Sequence, residues 1–289
     1  MNERSTRASV SDSKSGGGKG LDPLRMMLTL SHEIGQELWD EEKQAEGRRY
    51  RTEVVQRLHV RACQVTTEIV TLLENGLADG AMARWRTLHE ICVVIELIAA
   101  NGEDLAERYL AHDAVEAKNT LDMYLRTYKE LGYAPPSKTE VKAVGARYDA
   151  AISRFGPEFA NEYGWAAQLL NNANPRFARL AEAAGQARMR SHYKLASQNV
   201  HAGVKGIVYK LGMLGEPPHV LAGASNAGLE EPGQNTAITL MRVTAQLYRK
   251  PRFDQLVVLK VMWELHSKAV KGFIAASRRL KWEHNHPQP

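Results

Sequence analysis

Three side chains that could do chemistry follow one another at helical spacing near residue 200. Tyr193, Ser197 and His201 stand at positions i, i+4 and i+8, so a helix would carry two hydroxyls and an imidazole on one side. Polar groups placed beside an apolar row either find buried partners or line a pocket. We therefore expect this Tyr–Ser–His ladder to face the protein interior. The apolar row on that side of the helix consists of Ala196, Val200, Val204, Ile207, Val208 and Leu211.

A second set of polar residues lies in the most apolar helix of the sequence, which is predicted over residues 83–100. Apolar side chains are distributed around its whole circumference, and this pattern indicates burial. Arg86 and Glu90 are four residues apart in it and can form an ion pair. Because desolvation makes a buried pair a weak source of stability, the pair is either a device that specifies helix register or part of a site. We expect the ladder and this pair to form one buried polar cluster.

Two histidines could take part in acid–base chemistry. His89 shares a helix face with Glu96, and a nearby carboxylate could raise the pKa of its imidazole or select its tautomer; the alternative is a core histidine with a satisfied hydrogen bond. His112 and Tyr109 lie on the polar face of the next helix, which is either a groove wall or a solvated surface. The candidate catalytic residues are Arg86, His89, Glu90, Ser197 and His201, and the candidate pocket-lining residues are Tyr109, His112 and Tyr193.

The composition bounds the class of protein. The chain has 289 residues, 44% hydrophobic and 25% charged, with a net charge of +5, which suits one large domain or two small ones. Basic residues cluster near 48–61 and 278–281, as solvated faces or as contacts for nucleic acid or another acidic partner. Two isolated cysteines make neither a disulfide framework nor a zinc cluster. Because no long apolar segment and no secretory signal are present, we predict a cytoplasmic protein with no membrane contact, metal or cofactor.

Helical periodicity runs through almost the whole chain, whereas strand-type alternation is nearly absent. We predict an all-α protein with a single multi-helix, bundle-like domain at 21–282, a disordered N-terminal tail at 1–20 and a short tail at 283–289. A Gly/Pro-rich loop at 215–235 either covers a site or is a surface excursion. Helices are predicted over residues 21–39, 50–73, 79–100, 103–131, 137–155, 176–184, 188–213, 236–249 and 252–282.

Four short motifs together resemble a bacterial family known only as a domain of unknown function. The motifs are Arg86-x3-Glu90, Arg108-Tyr109, Tyr163-Gly164-Trp165 and Tyr193-x3-Ser197-x3-His201, and the resemblance spans roughly residues 50–212. This resemblance implies an all-helical fold and no particular reaction. The family-type polar positions that it implies are Arg86, Glu90, Tyr193, Ser197 and His201.

More distantly, the spacing Arg84-x4-His89 is similar to the ribonuclease motif of the HEPN nucleases, which are small helical proteins. That resemblance implies acid–base work for the histidine and stabilisation of phosphate charge by the arginine. Five residues on a continuous helix separate the two side chains by about 140°. They would therefore have to meet across a dimer or at an irregular helix start.

A third pattern, His89 with His112-Asp113, is similar to the metal-binding motif of the HD phosphohydrolases. That family needs a final aspartate, which Asp149 or Asp254 could supply, and no spacing selects between them. The sequence has no Walker-type phosphate loop, no Cys-x-x-Cys and no Gly-x-Ser-x-Gly elbow. Ser197 and His201 stand one turn apart on one helix, which is not the usual arrangement of a nucleophile and its base.

Three functions from different classes remain open, and whether the protein is an enzyme is one of the open points. The preferred one is a helical interaction or regulatory protein, as a homodimer, with a protein partner or in a defence or stress system, because helical patterning is strong and catalytic machinery is incomplete. The second is a HEPN-like ribonuclease or nucleotide-processing enzyme that binds RNA or a nucleotide through its basic segments. The third is a small-molecule sensor with a pocket between the helices that carry Glu90 and Ser197.

Overall fold

The computed structural model describes residues 18–42, 49–201, 203–214 and 221–286, and no β-strand occurs among them. The prediction of an all-α fold is confirmed. Each helix in the described ranges is too short or too polar to span a lipid bilayer. The helices are α1 (Gly18–Glu42), α2 (Tyr50–Glu74), α3 (Ala78–Ala111), α4 (Asp113–Thr127), α5 (Lys138–Phe155), α6 (Phe177–Ala183), α7 (Arg190–Gln198), α8 (Val204–Val208), α9 (Glu230–Ala245) and α10 (Phe253–Asn285), with 3₁₀ turns at Pro157–Ala160, Gly164–Ala166 and Ala187–Met189.

The chain divides into two compact units. Of the described residues, the larger unit contains 18–42, 55–96, 188–201, 203–214 and 221–286, and the smaller unit contains 49–54 and 97–187. In the larger unit α1 packs against α9 and α10, and α9 packs against α10. In the smaller unit α4 packs against α5, which also contacts the 3₁₀ turn at Pro157–Ala160. The domain boundaries that we predict at residues 21 and 282 stay a prediction.

Each unit has an apolar core that orients its helices. Trp85 of α3, Leu24 of α1 and Phe273 of α10 are almost completely buried in the larger unit. Phe159 and Leu180 are fully buried in the smaller unit. Burial of one such side chain contributes about 1.5–3 kcal/mol, so the side that each helix turns inward is set by these residues.

Helix α1 begins at Gly18, inside the segment for which we predict a tail, whereas residues 1–17 lie outside the described residues. The reason is close packing against α10. A Cβ atom on Gly20 would lie 2.8 Å from the Phe273 ring, and one on Gly272 would lie 2.3 Å from the Lys19 carbonyl oxygen. Gly20 at the end of the predicted tail and Gly272 in α10 therefore permit the two helix backbones to approach each other.

Helix α9 begins at Glu230, six residues before its predicted start, so the predicted loop ends earlier than residue 235. Glu230 and Glu231 lie in the first turn, where acidic side chains favour the positive end of the helix dipole. Pro232 also lies near the helix start, where its missing N–H leaves no helix bond unmade. Residues 215–220 of the predicted loop lie outside the described residues.

The prediction of one helix over residues 188–213 is wrong. Helix α7 ends at Gln198 and α8 covers only Val204–Val208, while residue 202 lies outside the described residues. The valines of the expected apolar row are exposed, by 48% at Val200 and 74% at Val204. A helix that buries no apolar face has little to stabilise it, and Gly203 and β-branched residues lower its intrinsic propensity further.

The prediction of one helix over residues 103–131 is also wrong, because the helix is interrupted at His112 between α3 and α4. The predicted break at Gly102 is present as a kink within α3, where Gly102 adopts a φ of 78°. A left-handed φ of this kind is accessible to glycine at little energetic cost. Glycine therefore locates the change of helix direction correctly, while the interruption at His112 carries no comparable signal.

Candidate functional site

Arg86 and Glu90 of α3 meet Tyr193 of α7 in the larger unit. Arg86 Nη2 lies 3.0 Å from Glu90 Oε1, so the predicted ion pair is present. The Tyr193 hydroxyl donates to Glu90 Oε1 at 2.6 Å and accepts from Arg86 Nη2 at 2.8 Å. The Arg86 guanidinium also lies 5.0 Å from the centroid of the Tyr193 ring. We call these three residues the polar cluster, in which the tyrosine joins both members of the ion pair.

The electrostatics of the polar cluster keep Tyr193 neutral. Burial and, after it, the hydrogen bond and charge of Glu90 raise the pKa of Tyr193 to about 12, and Arg86 acts in the opposite direction. A neutral phenol can donate one hydrogen bond and accept another, which matches both observed contacts. The side chains of Arg86 and Glu90 keep 28% and 32% of their surface exposed. The phenol therefore serves as a hydrogen-bonding bridge at neutral pH and is a poor general base.

The ladder predicts that Ser197 and His201 join the polar cluster, but neither residue does. The Ser197 hydroxyl donates to the carbonyl oxygen of Tyr193, one turn back on α7, at 2.9 Å. His201 lies beyond the end of α7 and is exposed. The ladder therefore contributes only Tyr193 to the cluster. The roles that we predict for Ser197 and His201 in a site stay predictions.

His89 is a core residue of the larger unit with 2% exposure. Its ring stacks on Trp85 with centroids 5.2 Å apart and an angle of 24°, and it also contacts the Tyr193 ring. Burial, followed by the charges of Arg242 and His192, lowers the pKa of His89 to about 4. The direction is opposite to the one expected from a neighbouring Glu96. Neutral His89 is consistent with the alternative of a core histidine.

Glu96 pairs with Arg242, whereas the sequence suggests His89 as its neighbour. Its carboxylate accepts from Arg242 of α9 at 2.7 Å, and only 9% of the Glu96 side chain is exposed. Arg84 likewise bonds to Glu68 of α2, away from the His89 ring. The spacing Arg84-x4-His89 thus does not bring its two side chains together, as the helix geometry predicts.

Residues that the sequence pattern does not single out extend this region of the larger unit toward α9. His192 Nδ1 lies 2.6 Å from Glu231 Oε1, and Asn235 Nδ2 lies 3.4 Å from the same ring nitrogen. The Trp85 indole donates to the Asn235 carbonyl oxygen at 3.1 Å and to the Thr239 hydroxyl at 3.0 Å. Glu231 and Asn235 fall in the segment predicted as a loop. The signal that could have placed them on a helix is the pair Glu230-Glu231 before Pro232.

Tyr109 and His112 lie in the smaller unit, where both contact the irregular segment 157–166. His112 is 3% exposed, its Nε2 donates to the Asn161 carbonyl oxygen at 2.9 Å, and its ring meets Phe159 edge-on. The Tyr109 ring meets Trp165 edge-on, with centroids 5.1 Å apart. These contacts attach the segment to the helices, so both residues have structural roles there. The pocket-lining roles that we predict for them stay predictions.

The metal-binding pattern suggested by His112-Asp113 is not assembled. Asp113 forms an ion pair with Arg147 of α5. Within the part of the chain that the structure describes, no three His, Cys, Asp or Glu side chains are arranged to hold a metal ion. Asp149 and Asp254 therefore complete no metal-binding group in the described ranges.

Replacing Tyr193 by phenylalanine is expected to lower the free energy of unfolding by about 1–2 kcal/mol, because hydrogen bonds to two charged groups are lost while the ring stays. Urea denaturation of the two proteins measures the difference. Ser197→Ala is the matched control on the same helix, since it removes one local bond to the backbone. Equal stabilities of the two variants would contradict a bridging role for the phenol.

Comparison with known proteins identifies a family without assigning a reaction. No curated protein and no solved structure matches the chain significantly. The model of a family described as a family of unknown function (DUF5677) matches residues 52–216, which is more than half of the chain. The matched segment contains the polar cluster, and the resemblance expected from the motifs is confirmed. The chain therefore belongs to this all-helical family of unknown function (DUF5677).

Proposed function

We propose that this protein is a helical interaction protein that pairs with a second copy of itself through the start of α10. The observation that carries the proposal is a group of large apolar side chains exposed over about three turns of this helix. We call them the α10 row: Phe253 (83% exposed), Leu256 (50%), Val257 (49%), Val261 (44%) and Trp263 (47%). Single exposed apolar residues are ordinary, but a contiguous group of them is typical of a protein-binding surface.

The spacing of the α10 row supports this interpretation. Phe253, Leu256 and Val257 stand at i, i+3 and i+4, which places them on one face of the helix. The opposite face of α10 is buried in the core of the larger unit through Met262 and Leu265. Helix α10 therefore has one apolar face that supports the fold and a second apolar face exposed to solvent. A helix of this kind is suited to pairing with another helix.

The symmetry of the α10 row favours a second copy of the chain as the occupant. In an antiparallel pair of α10 helices with the twofold axis near Val257, Phe253 lies level with the partner's Val261. Two-fold symmetry repeats this apolar contact, as in the self-complementary interfaces of most homodimers. Asp254 and Lys260 lie on opposite edges of the row, where their exposed ion pairs with Arg252 and Glu264 can stay in water.

The polar cluster supports an interaction role over catalysis. Arg86, Glu90 and Tyr193 bind one another, and this arrangement attaches the short helix α7 to α3. His89 is buried and neutral at physiological pH, which suits a packing role. We infer that these residues hold α7 in position, while the α10 row makes the contact with the second copy.

We expect weak, concentration-dependent dimerisation, because three turns of one helix present less than the roughly 800 Å² per partner of a standard interface. Sedimentation velocity from about 1 µM to about 1 mM protein should show a shift from monomer to dimer. Val257→Lys should abolish the shift, because two ammonium groups would meet at the twofold axis in an apolar contact.

Met123→Lys is the matched control for this experiment. Met123 is 64% exposed on α4, and its replacement makes the same charge change away from α10. This variant should dimerise like the unmodified protein. A monomer at every concentration, or dimerisation that survives Val257→Lys, would overturn the proposal.

A further inference from the structure

A groove of about 550 Å³ lies between α1, α2 and the residues after α9, all within the larger unit. Its volume is in the range of pockets that hold small molecules, about 300–1,000 Å³. Apolar side chains form part of its wall, among them the exposed Trp39 and Val60 and the partly buried Leu247. His59 and Cys63 lie at its floor and are each 2% exposed. The mostly apolar wall with a few buried polar groups is the usual construction of a small-molecule site.

A chain of hydrogen bonds determines which nitrogen of His59 carries the proton. The Thr244 hydroxyl donates to the Leu240 carbonyl oxygen at 2.9 Å, so its oxygen accepts from the Ser31 hydroxyl at 2.7 Å. Because the Ser31 hydroxyl donates its only proton to Thr244, its oxygen must accept the hydrogen bond from His59 Nε2, which lies 3.0 Å away. His59 therefore carries its proton on Nε2, and its Nδ1 is a hydrogen-bond acceptor.

The Nδ1 atom of His59 has only a weak hydrogen-bond partner within the protein. This atom lies 4.0 Å from the Cys63 sulfur, whereas that sulfur is closer to His59 Nε2, at 3.7 Å, and to Ser31 Oγ, at 3.4 Å. Burial, with a smaller contribution from the charge of His32, lowers the pKa of His59 to about 4, so the ring is neutral at physiological pH. A buried acceptor without a strong donor favours a ligand that brings one.

Gly35 of α1 makes room for this arrangement. A Cβ atom there would lie 2.8 Å from His59 Cε1 and 2.9 Å from Nδ1. Both Gly35 and His59 line the groove, and a side chain at residue 35 would cover the edge of the ring that carries the acceptor. Alanine at this position would displace the ring.

We propose that the groove binds a nucleobase that carries an amino group, with the amino N–H donating to His59 Nδ1. The planar base suits an apolar slot with the Trp39 indole in its wall, since base–aromatic stacking is worth about 1–3 kcal/mol. Arg57 also lines the groove and provides positive charge for a phosphate group. The shared chemistry is the amino-bearing base, which a nucleoside or a mononucleotide can supply.

Isothermal titration calorimetry of the full chain tests the proposal with three probes. Adenosine and AMP should bind with a Kd below about 1 mM, and tighter binding of AMP identifies the mononucleotide as the source. N6,N6-dimethyladenosine has no amino N–H, so it should bind at least about tenfold more weakly than adenosine. This comparison uses the unmodified protein and does not depend on the folding of a variant.

Two variants test whether Gly35 and His59 take part in binding the base. Gly35→Ala and His59→Phe should each weaken adenosine binding about tenfold or more, with circular dichroism reporting whether the helices are intact. His201→Gln is the control, since His201 is exposed and lies outside the groove. The proposal is overturned by the absence of binding to both adenosine and AMP, by equal binding of the dimethylated analogue, or by full binding in a folded His59→Phe variant. Dimerisation through α10 is measured separately, so the failure of one proposal leaves the other to be judged by its own experiment.

Discussion

Replacing Gly272 by alanine is expected to lower the free energy of unfolding of the larger unit by about 3 kcal/mol, the upper end of the usual effect of overpacking. A Cβ atom at this position would lie 2.3 Å from the Lys19 carbonyl oxygen and 2.6 Å from the Gly20 nitrogen. These are backbone atoms, so relief requires α1 and α10 to move apart. The movement would also loosen the Phe273 ring, which packs against Gly20 and Gly233.

Urea denaturation, together with hydrogen exchange of the α1 and α10 amides, measures this effect. The exchange data report on the larger unit even if the two units unfold separately. Gly80→Ala is the control in the same unit, because its Cβ would meet only the Leu72 side chain, at 3.4 Å. Equal stability of the two variants would show that the close approach of α1 and α10 does not require glycine.

Acidification from pH 6.5 to pH 4 is expected to destabilise the larger unit by about 3 kcal/mol through each of two histidines. His59 and His89 both have a pKa of about 4 in the folded protein, against 6.5 in an unfolded chain. Between these values the unfolded chain binds a proton that the folded protein does not, so the free energy of unfolding falls as the pH falls. Above pH 6.5 both states are neutral at these positions and the effect disappears.

Urea midpoints at pH 7, 6 and 5 measure this dependence. His89→Phe preserves an aromatic ring beside Trp85 and removes the titration, so this variant should lose less stability on acidification than the unmodified protein. The charged and titratable groups that face His89 are Arg242, His192 and Tyr193. His201→Gln, which changes an exposed histidine, should follow the unmodified protein. An identical pH dependence in the His89→Phe variant would contradict the prediction.

Local features were predictable because their causes lie within a few residues. Helix α5 begins next to residue 137, where the predicted helix starts, and the hydroxyl of its N-cap Ser137 accepts from the Glu140 N–H at 3.1 Å. The ion pair between Arg86 and Glu90 is likewise a contact between neighbours on one helix turn. Both depend on spacing along the helix, which the sequence contains directly.

The wrong helix predictions have a cause that lies outside the local sequence. The apolar row predicted after residue 198 has correct helical spacing, yet Val200 and Val204 find no burial and the helix ends. The predicted start of α9 is too late because Pro232 and Gly233 are typical of loops, whereas in this protein Pro232 fits the first helical turn and Gly233 lies against the Phe273 ring. Periodicity shows that a face could be buried, and it does not show whether another segment covers that face.

Residue spacing along the chain predicts that the protein is helical, where most helices lie, and that Arg86 and Glu90 can pair. The tertiary structure shows that Tyr193, and neither Ser197 nor His201, joins this pair. It also decided that Ser31 and Thr244, which are 213 residues apart, orient His59 at the floor of the groove. The physical reason is that such partners are selected by the burial free energy of whole helices, a sum over contacts that are distant in the chain.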